Sequence, residues 1–358
     1  MDEKKNIRRE IFQQSFGFIA AILVAILFGL AILLLDGSNI ADIFTSAVSS
    51  TFSSTFRFAN MISRLVLIVL VALAAAIPFK AGIWNIGGDG QLLVGALCSA
   101  LAGVYITGLP PVLHILLCVL AGMAGGALWA LVPALLRLKY NANEIVTTIM
   151  MNYLATLFTN YMVNYPFRAA GASNAETELI QKSAYLQQLV PLSNLSVGLF
   201  IAAAVFLVIW FLDAKTSWGY EWKVLGANEE FARYGGVRDQ QKRLLAMLIG
   251  GALAGLAGTI LVLGVNHKFL SGLGGGIGFT GVLIAIIATN SPILILVVSA
   301  IFAFIQSSMI GLEAKLGIAP EFNDILQSVI ILVVIIRSRI GSTLSKLFTH
   351  RKNYGKSR

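Results

Sequence analysis

Ten apolar segments, most of them of bilayer-spanning length, constrain this chain more than any other feature. They lie at roughly residues 16–35, 61–79, 92–107, 112–133, 145–163, 197–213, 244–264, 277–290, 292–310 and 322–336. A transmembrane helix needs about 20 apolar residues, and only the eighth segment is clearly short. Charged residues make up 12% of the chain, about half of what a soluble domain carries. The sequence therefore predicts an all-α membrane protein with about ten transmembrane helices.

The lysine and arginine residues predict how these segments are oriented. With the N-terminus in the cytoplasm, nineteen of the 26 basic residues fall inside and six outside, with Lys80 at a border. Cytoplasmic segments are enriched in such residues, so we expect both termini in the cytoplasm. One transmembrane domain, residues 1–358, would comprise an N-terminus at 1–15, about ten spans within 16–336, a cytoplasmic loop at 214–243 and a basic tail at 337–358. Outer loops are expected at 36–60 and at 165–194, the latter with a short surface helix around 176–188.

The segment at residues 83–91 separates two apolar segments and contains three glycines in four positions. Each glycine costs about 1 kcal/mol relative to alanine inside a helix, so a continuous helix is not expected. Asp89 carries a carboxylate near the middle of the apolar segments, where contact of a charged group with lipid is unfavourable. We therefore expect its side chain to face a cavity or a partner. Two interpretations stay open: the segment lines a translocation path, or it is a cytoplasmic turn between spans.

A second glycine-rich segment, residues 272–281, lies at the matching position of the other half of the chain. Segments two to five begin outside and segments seven to ten begin inside, which predicts an inverted repeat. Glycine-broken helices at matching positions of such repeats indicate a binding path at their interface. Rows of small residues predict close packing of the fourth and seventh segments: Gly122, Gly126, Gly250, Gly251, Ala254, Gly255 and Gly258.

The fifth segment carries a polar residue at every fourth position: Glu144, Thr148, Asn152, Thr156 and Asn160. Four residues advance a helix by about 400°, so these side chains form a slanted stripe on one side. A pore lining and a hydrogen-bonded seam between helices would produce the same pattern, and both stay open.

Residues 226–237 of the cytoplasmic loop are typical of a short helix. Asn228 can cap its first turn, Glu229 complements the positive end of its dipole, and Gly235 suits its C-terminal cap. Such a helix would be a docking device, whereas the alternative is an ordinary structured loop.

No pattern typical of catalysis or metal binding is visible. His114, His267 and His350 are far apart in sequence, and Cys98 and Cys118 are expected to be buried packing residues. The net charge of +9 does not imply nucleic acid, because the basic residues lie where cytoplasmic loops are expected. We therefore expect no catalytic residue, no metal, no cofactor and no nucleotide-binding domain in this chain.

The sequence Trp-Asn-Ile-Gly-Gly-Asp-Gly-Gln at residues 84–91 resembles a signature of permease subunits in nucleoside-type ABC importers. That signature reads Phe-Asn-Ile-Gly-x-Glu-Gly-Gln and belongs to the broader branched-chain amino acid and simple-sugar permease family. Residues 143–153, 226–237 and 278–281 resemble further motifs, so the similarity extends over about residues 60–340. Trp84 replaces phenylalanine and Asp89 replaces the more usual glutamate, which reaches further.

This resemblance implies a non-catalytic permease that takes up nucleosides while a separate ABC ATPase subunit hydrolyses Mg-ATP. The expected partners are that ATPase, a second permease in a heterodimer, a substrate-binding lipoprotein or periplasmic protein, and the lipid of the bacterial plasma (inner) membrane. Residues expected along the substrate path are Trp84, Asn85, Asp89, Gln91, Thr148, Asn152, Phe279 and Thr280. Residues expected to couple to the ATPase are Gly226, Asn228, Glu229, Phe231, Arg233 and Tyr234.

Other functions fit the same sequence less well. A proton-coupled secondary transporter would need a relay of intramembrane acids, and only Asp89 qualifies, although sodium bound by backbone carbonyls stays open. Permeases for simple sugars or branched-chain amino acids carry different sequences at the first break. An intramembrane enzyme would need a nucleophile with its base, or metal ligands, and the sequence provides neither.

Overall fold

The computed structural model describes residues 39–317 and, beyond them, Ile325, Ser328 and Val329. This part of the chain contains eleven α-helices and no β-strand, so the all-α prediction is confirmed for it. The first six are α1 (Ile40–Phe52), α2 (Thr55–Lys80), α3 (Gly88–Tyr105), α4 (Pro111–Tyr140), α5 (Glu144–Asn164) and α6 (Gly198–Lys215). The other five are α7 (Ser217–Ala227), α8 (Glu229–Tyr234), α9 (Asp239–Leu261), α10 (Ile277–Ile287) and α11 (Pro292–Leu316).

Eight of the predicted apolar segments coincide with helices. Among the described residues, five helices are long and apolar enough to cross a membrane: α2, α4, α6, α11, and α9 with the π-helix Val262–Asn266 that continues it. Helix α10 has only 11 residues, in line with the short eighth segment. The segments at 16–35 and 322–336, apart from the three single residues, lie outside the described residues, as do both termini. The count of ten spans and the inverted repeat stay predictions.

Four of the described helices begin at a residue whose side chain accepts a hydrogen bond from the first turn. Asn39, Ser54, Asn143 and Asn228 each accept from a backbone N–H in the first turn of α1, α2, α5 and α8. These caps satisfy donors that have no partner within the helix. Polar residues before these four helices therefore stabilise the positions at which they begin.

Two predictions about the outer loops are wrong. Residues 36–60 were expected as a loop, but they contain α1, where Thr45 Oγ1 donates to the Ala41 carbonyl at 2.7 Å within the helix. The surface helix expected at 176–188 is reduced to the 3₁₀ turn Lys182–Ala184. The reason is tertiary: the backbone N–H groups of Ile180 and Leu186 donate to carbonyls of the chain after α9, at 2.9 and 3.0 Å.

The described residues divide into two compact units, residues 54–304 and the described residues outside this range. In the described part of the smaller unit, α1 packs against the end of α11 through hydroxyl groups. Ser308 Oγ donates to the Ala47 carbonyl at 3.2 Å, and Lys315 Nζ donates to Ser49 Oγ at 2.7 Å. The expectation of one domain over residues 1–358 stays a prediction.

Helix α9 is the centre of the larger unit, where it packs against α2, α3 and α4. Its glycine face allows backbones to approach closely, as the small-residue rows predict. A Cβ atom at Gly126 would lie 2.9 Å from Gly255 Cα, and one at Gly95 would lie 2.7 Å from the Gly122 carbonyl oxygen. Cys118 is buried as expected, whereas Cys98 is partly exposed.

We expect Gly255→Ala to destabilise the larger unit by about 1–3 kcal/mol, the usual cost of overpacking. The added methyl group would collide with the backbone of Gly122, which cannot rotate away as a side chain could. Thermal unfolding of the purified protein in detergent measures the effect. Gly274→Ala is the matched control, because its Cβ would meet nothing closer than Leu92 Cδ2 at 3.6 Å. Equal unfolding temperatures for the two variants would contradict the packing argument.

Candidate functional site

The chain leaves the helical conformation after Lys80 and resumes it at Gly88, so the predicted interruption lies at residues 81–87. Pro78 stands in the last turn of α2, and its carbonyl accepts from the Ile83 N–H at 3.0 Å. This bond folds the chain back sharply, and Ile83 is fully buried. The following residues are thereby held inside the helix bundle.

Two buried amides, those of Asn85 and Gln91, pair with each other across the interruption. Asn85 Nδ2 donates to Gln91 Oε1 at 3.1 Å, and Gln91 Nε2 donates to Asn85 Oδ1 at 2.9 Å. Asn85 Oδ1 also accepts from the Gly87 N–H at 3.1 Å. Because both side chains are 1% exposed, these groups hold the turn in place instead of facing an open space.

Helix α5 supplies the partners for the remaining backbone groups. Thr148 Oγ1 accepts from the Ile86 N–H at 3.3 Å, and Asn152 Nδ2 donates to the Ile86 carbonyl at 2.9 Å. Asn152 Oδ1 accepts from the Gly90 N–H at 2.9 Å. One side chain of α5 therefore binds the interruption at two places.

The other polar residues of the α5 stripe also have partners. Glu144 forms an ion pair with Arg137 at 3.3 Å, and Asn160 Oδ1 accepts from Ser271 Oγ at 2.7 Å. Thr156 donates to a carbonyl of its own helix. Of the two interpretations of this stripe, the structure supports the seam between packed segments.

Asp89 connects the first glycine-rich segment to the second. Its Oδ1 accepts from the Gly278 N–H at 2.7 Å, and its Oδ2 accepts from the Phe279 N–H at 3.2 Å. Both donors lie in the first turn of α10, where backbone N–H groups lack helical partners. A Cβ at Gly278 would lie 2.5 Å from Asp89 Cγ, so glycine is required for this approach. We call residues 81–91, with Thr148, Asn152 and residues 277–280, the junction.

The eight predicted path residues all belong to the junction, but they differ in exposure. The buried ones, each at most 7% exposed, are Asn85, Gln91, Thr148, Asn152 and Thr280. Trp84 and Phe279 are 45% and 47% exposed, and Trp84 packs against Phe79 with ring centroids 4.7 Å apart. Trp84 and Phe279 therefore provide the large exposed side-chain surfaces of the junction. Their role along a path stays a prediction.

The loop at 214–243 contains the predicted capped helix, α8. Asn228 Oδ1 accepts from the Phe231 N–H at 3.0 Å, which confirms the cap. The helix ends at Tyr234 with Gly235 as its C-cap, but the left-handed residue is Gly236, with φ 79°, and not Gly235, with φ −76°. Gly226 belongs to the preceding helix, α7, so the expected single element at 226–237 is two helices meeting at Asn228.

Charged side chains join α8 to α9. Arg233 contacts Glu229 at 2.8 Å and Asp239 at 2.7 Å, and the hydrogen bond to Asp239 raises the pKa of the Arg233 guanidinium. Glu229 also pairs with Arg243 at 2.9 Å. Sequence reasoning missed Arg243, because a partner 14 residues away across a turn gives no periodic signal.

Comparisons with known proteins show similarity to transport permeases over most of the chain. A family described as the permease component of the branched-chain amino acid transport system matches residues 57–335. The guanosine ABC transporter permease protein NupP of Bacillus subtilis is 29% identical over 334 residues, 91% of this chain and 95% of that protein. The nucleoside ABC transporter permease protein NupB of Lactococcus lactis is 31% identical over 341 residues, 92% of each. A glucose ABC transporter permease protein of Haloferax volcanii is 29% identical over 88% of this chain and 86% of that protein.

The family match includes the whole junction and the loop that carries α7 and α8. The five helices of membrane-spanning length fit a multi-pass membrane protein. The chain therefore belongs to the family of branched-chain amino acid transport system permease components.

Proposed function

We propose that this chain is a transmembrane permease subunit of an ATP-driven ABC importer that takes up nucleosides. The observation that carries the proposal is the similarity, over more than nine-tenths of the chain, to permeases named for guanosine and for nucleosides. In this proposal the chain crosses the bacterial plasma membrane about ten times, with both termini in the cytoplasm. It has no catalysis of its own, and Mg-ATP is bound and hydrolysed by a separate ATPase subunit. A second permease and a substrate-binding protein complete the importer.

The exposed aromatic side chains of the junction suit a nucleoside better than an amino acid. A nucleobase has flat faces, and stacking on an aromatic side chain contributes about 1–3 kcal/mol per base in nucleic-acid complexes. Trp84 and Phe279 are the residues of the junction that offer such faces. A sugar permease is the second candidate, because one relative is named for glucose and sugars also pack on aromatic rings.

The transport prediction uses proteoliposomes that contain this chain, its second permease and its ATPase, with the binding protein outside. We expect uptake of radiolabelled guanosine or another nucleoside only when ATP is present on the ATPase side. Unlabelled nucleosides should compete, and glucose should not. Competition by glucose alone would support the sugar permease. Uptake by this chain alone under a sodium or proton gradient would overturn the proposal in favour of a secondary transporter.

Asp89 is proposed to keep the two glycine-rich segments together during transport. Its carboxylate accepts from two backbone N–H groups of α10, and hydrogen bonds to a charged group contribute about 1.5–3 kcal/mol each. An asparagine replaces one of the two acceptor oxygens by an NH₂ group and lacks the charge, so the contact made by two carboxylate oxygens cannot form. The junction would then lose a defined connection between α3 and α10.

We expect Asp89→Asn to reduce ATP-driven uptake at least about tenfold, which corresponds to about 1.4 kcal/mol of lost stabilisation. Membrane insertion and copurification with the other subunits should be unchanged. Asp89→Glu is the matched control, because it keeps both acceptor oxygens and should retain more uptake than asparagine does. Unchanged uptake by Asp89→Asn would favour the simpler interpretation of residues 81–91 as a turn without a role in transport.

Helix α8 is proposed as the segment that docks onto the ATPase. Its buried side is held by Ala232, which is fully buried, whereas Phe231 and Tyr234 are 62% and 92% exposed. Large aromatic side chains on a short, capped helix are typical anchors for a groove on a partner, where a few residues carry most of the binding energy. The exposed pair therefore offers the contact surface, and the ion pairs to α9 keep the helix in position.

We expect Phe231→Ala and Tyr234→Ala each to weaken binding of the ATPase by about 1–2 kcal/mol or more, because each removes an aromatic anchor. Affinity is measured by titrating the ATPase onto the purified permease complex in detergent. Tyr220→Ala is the control, since Tyr220 is 64% exposed on the neighbouring α7. Wild-type affinity of the Phe231/Tyr234 double variant would place the docking element elsewhere, with residues 137–143 and the tail at 337–358 as the next candidates.

A further inference from the structure

The loop at 214–243 is attached directly to the end of α2, where the junction begins. Lys80, the last residue of α2, forms an ion pair with Asp213 of α6 at 2.5 Å. Asp213 also contacts Lys223 of α7 at 3.6 Å. The side chains of Lys80 and Asp213 are only 11% and 12% exposed, so this pair is largely shielded from water. Asp213 in the last turn of α6 thus ties the last turn of α2 to the middle of α7.

A second attachment is made by backbone contact between two glycines. A Cβ at Gly226 would collide with the Lys80 carbonyl oxygen, and a Cβ at Gly82 would lie 3.3 Å from Gly226 Cα. Gly82 has φ 76°, which only glycine adopts readily. The last turn of α7 therefore touches the first residues of the interruption without a side chain between them.

The third attachment is Arg243 in the first turns of α9. One end of its guanidinium, Nη2, contacts Glu229 of α8 at 2.9 Å, and Nε donates to the Ala81 carbonyl at 3.3 Å. The Ala81 carbonyl lies at the C-terminal end of α2, where carbonyls lack helical partners and a cation is favourable. The planar guanidinium can bind two acceptors at fixed positions, which an ammonium group does less well.

We propose that Arg243 is the positioning residue through which a displacement of α8 reaches the junction. The inference rests on the proposed function, in which α8 docks onto the ATPase. Glu229 belongs to α8, Ala81 opens the interruption, and Arg243 binds both while its own side chain is 13% exposed. A movement of Glu229 therefore moves the Arg243 guanidinium. The guanidinium in turn moves the Ala81 carbonyl, which directly precedes residues 82–87. The contacts of Lys80 and Gly226 limit this movement to the same short stretch of chain.

The test compares two variants. Arg243→Met keeps a long side chain but has no hydrogen-bond donor, and Arg243→Lys keeps the positive charge but lacks the planar guanidinium group. Lys242→Met is the control, because Lys242 is similarly buried on the same turn and pairs with Glu221 of α7 instead. In the reconstituted complex we expect Arg243→Met still to bind the ATPase and hydrolyse ATP, because the Arg233–Asp239 ion pair continues to join α8 to α9. The amount of nucleoside transported per ATP should fall about fivefold or more, the lower end of typical coupling between sites. Arg243→Lys should lie between Arg243→Met and the wild type, and Lys242→Met should match the wild type.

Hydrogen–deuterium exchange of the purified chain tests the same connection without any transport. We expect Arg243→Met to accelerate exchange both in residues 229–237 and in residues 81–87, while Lys242→Met leaves residues 81–87 unchanged. Unchanged exchange at 81–87 in Arg243→Met, or an unchanged transport-to-ATP ratio, would overturn the role of Arg243. Absence of ATP-driven nucleoside uptake by the wild-type complex would instead contradict the proposed function. The exchange result would then still decide the role of Arg243.

Discussion

A helix that is interrupted inside an apolar bundle leaves backbone N–H and C=O groups that water cannot satisfy, and this constraint governs the larger unit. Each unsatisfied group would cost several kcal/mol in such surroundings. The chain meets the cost with side chains from elsewhere: Thr148 and Asn152 bind the backbone of Ile86 and Gly90, and Asn85 binds Gly87. The main role of these polar side chains is consequently to form hydrogen bonds with the backbone. Any contact with a substrate has to be made by what remains exposed.

The short side chains of the junction reach their partners because the backbones lie close together there. A Cβ atom at Gly90 would lie 3.0 Å from Asn152 Oδ1, and one at Gly278 would lie 2.5 Å from Asp89 Cγ. Side chains as short as threonine, asparagine and aspartate can then cross from one helix to the next. The glycines and the short polar residues depend on each other, because a wider spacing between the helices would leave the same donors and acceptors without partners.

Local features of this fold could be predicted from the sequence, whereas pairings between distant residues could not. The Asn228 cap depends on residues three positions apart, and the apolar segments depend on composition, so both were found. The contact of Asp89 with Gly278 joins residues 189 positions apart and has no local signal. The error at residues 176–188 has the same origin, because the backbone there pairs with the chain after α9. The error at residues 36–60 is local: serine and threonine suggested a loop, but a hydroxyl group such as that of Thr45 donates to a carbonyl four residues earlier within α1.

The distance along the chain between Asp89 and its partners has a consequence for biosynthesis. Helix α3 leaves the ribosome long before α10, so for most of translation the carboxylate has neither of the backbone donors that hold it in the finished protein. The early helices must therefore enter the membrane as an incomplete set, with a polar side chain awaiting a helix not yet made. Completion of the first turn of α10 is then the step that completes the contacts of Asp89 in the junction. A chain truncated before residue 278 would leave this acid without those two donors.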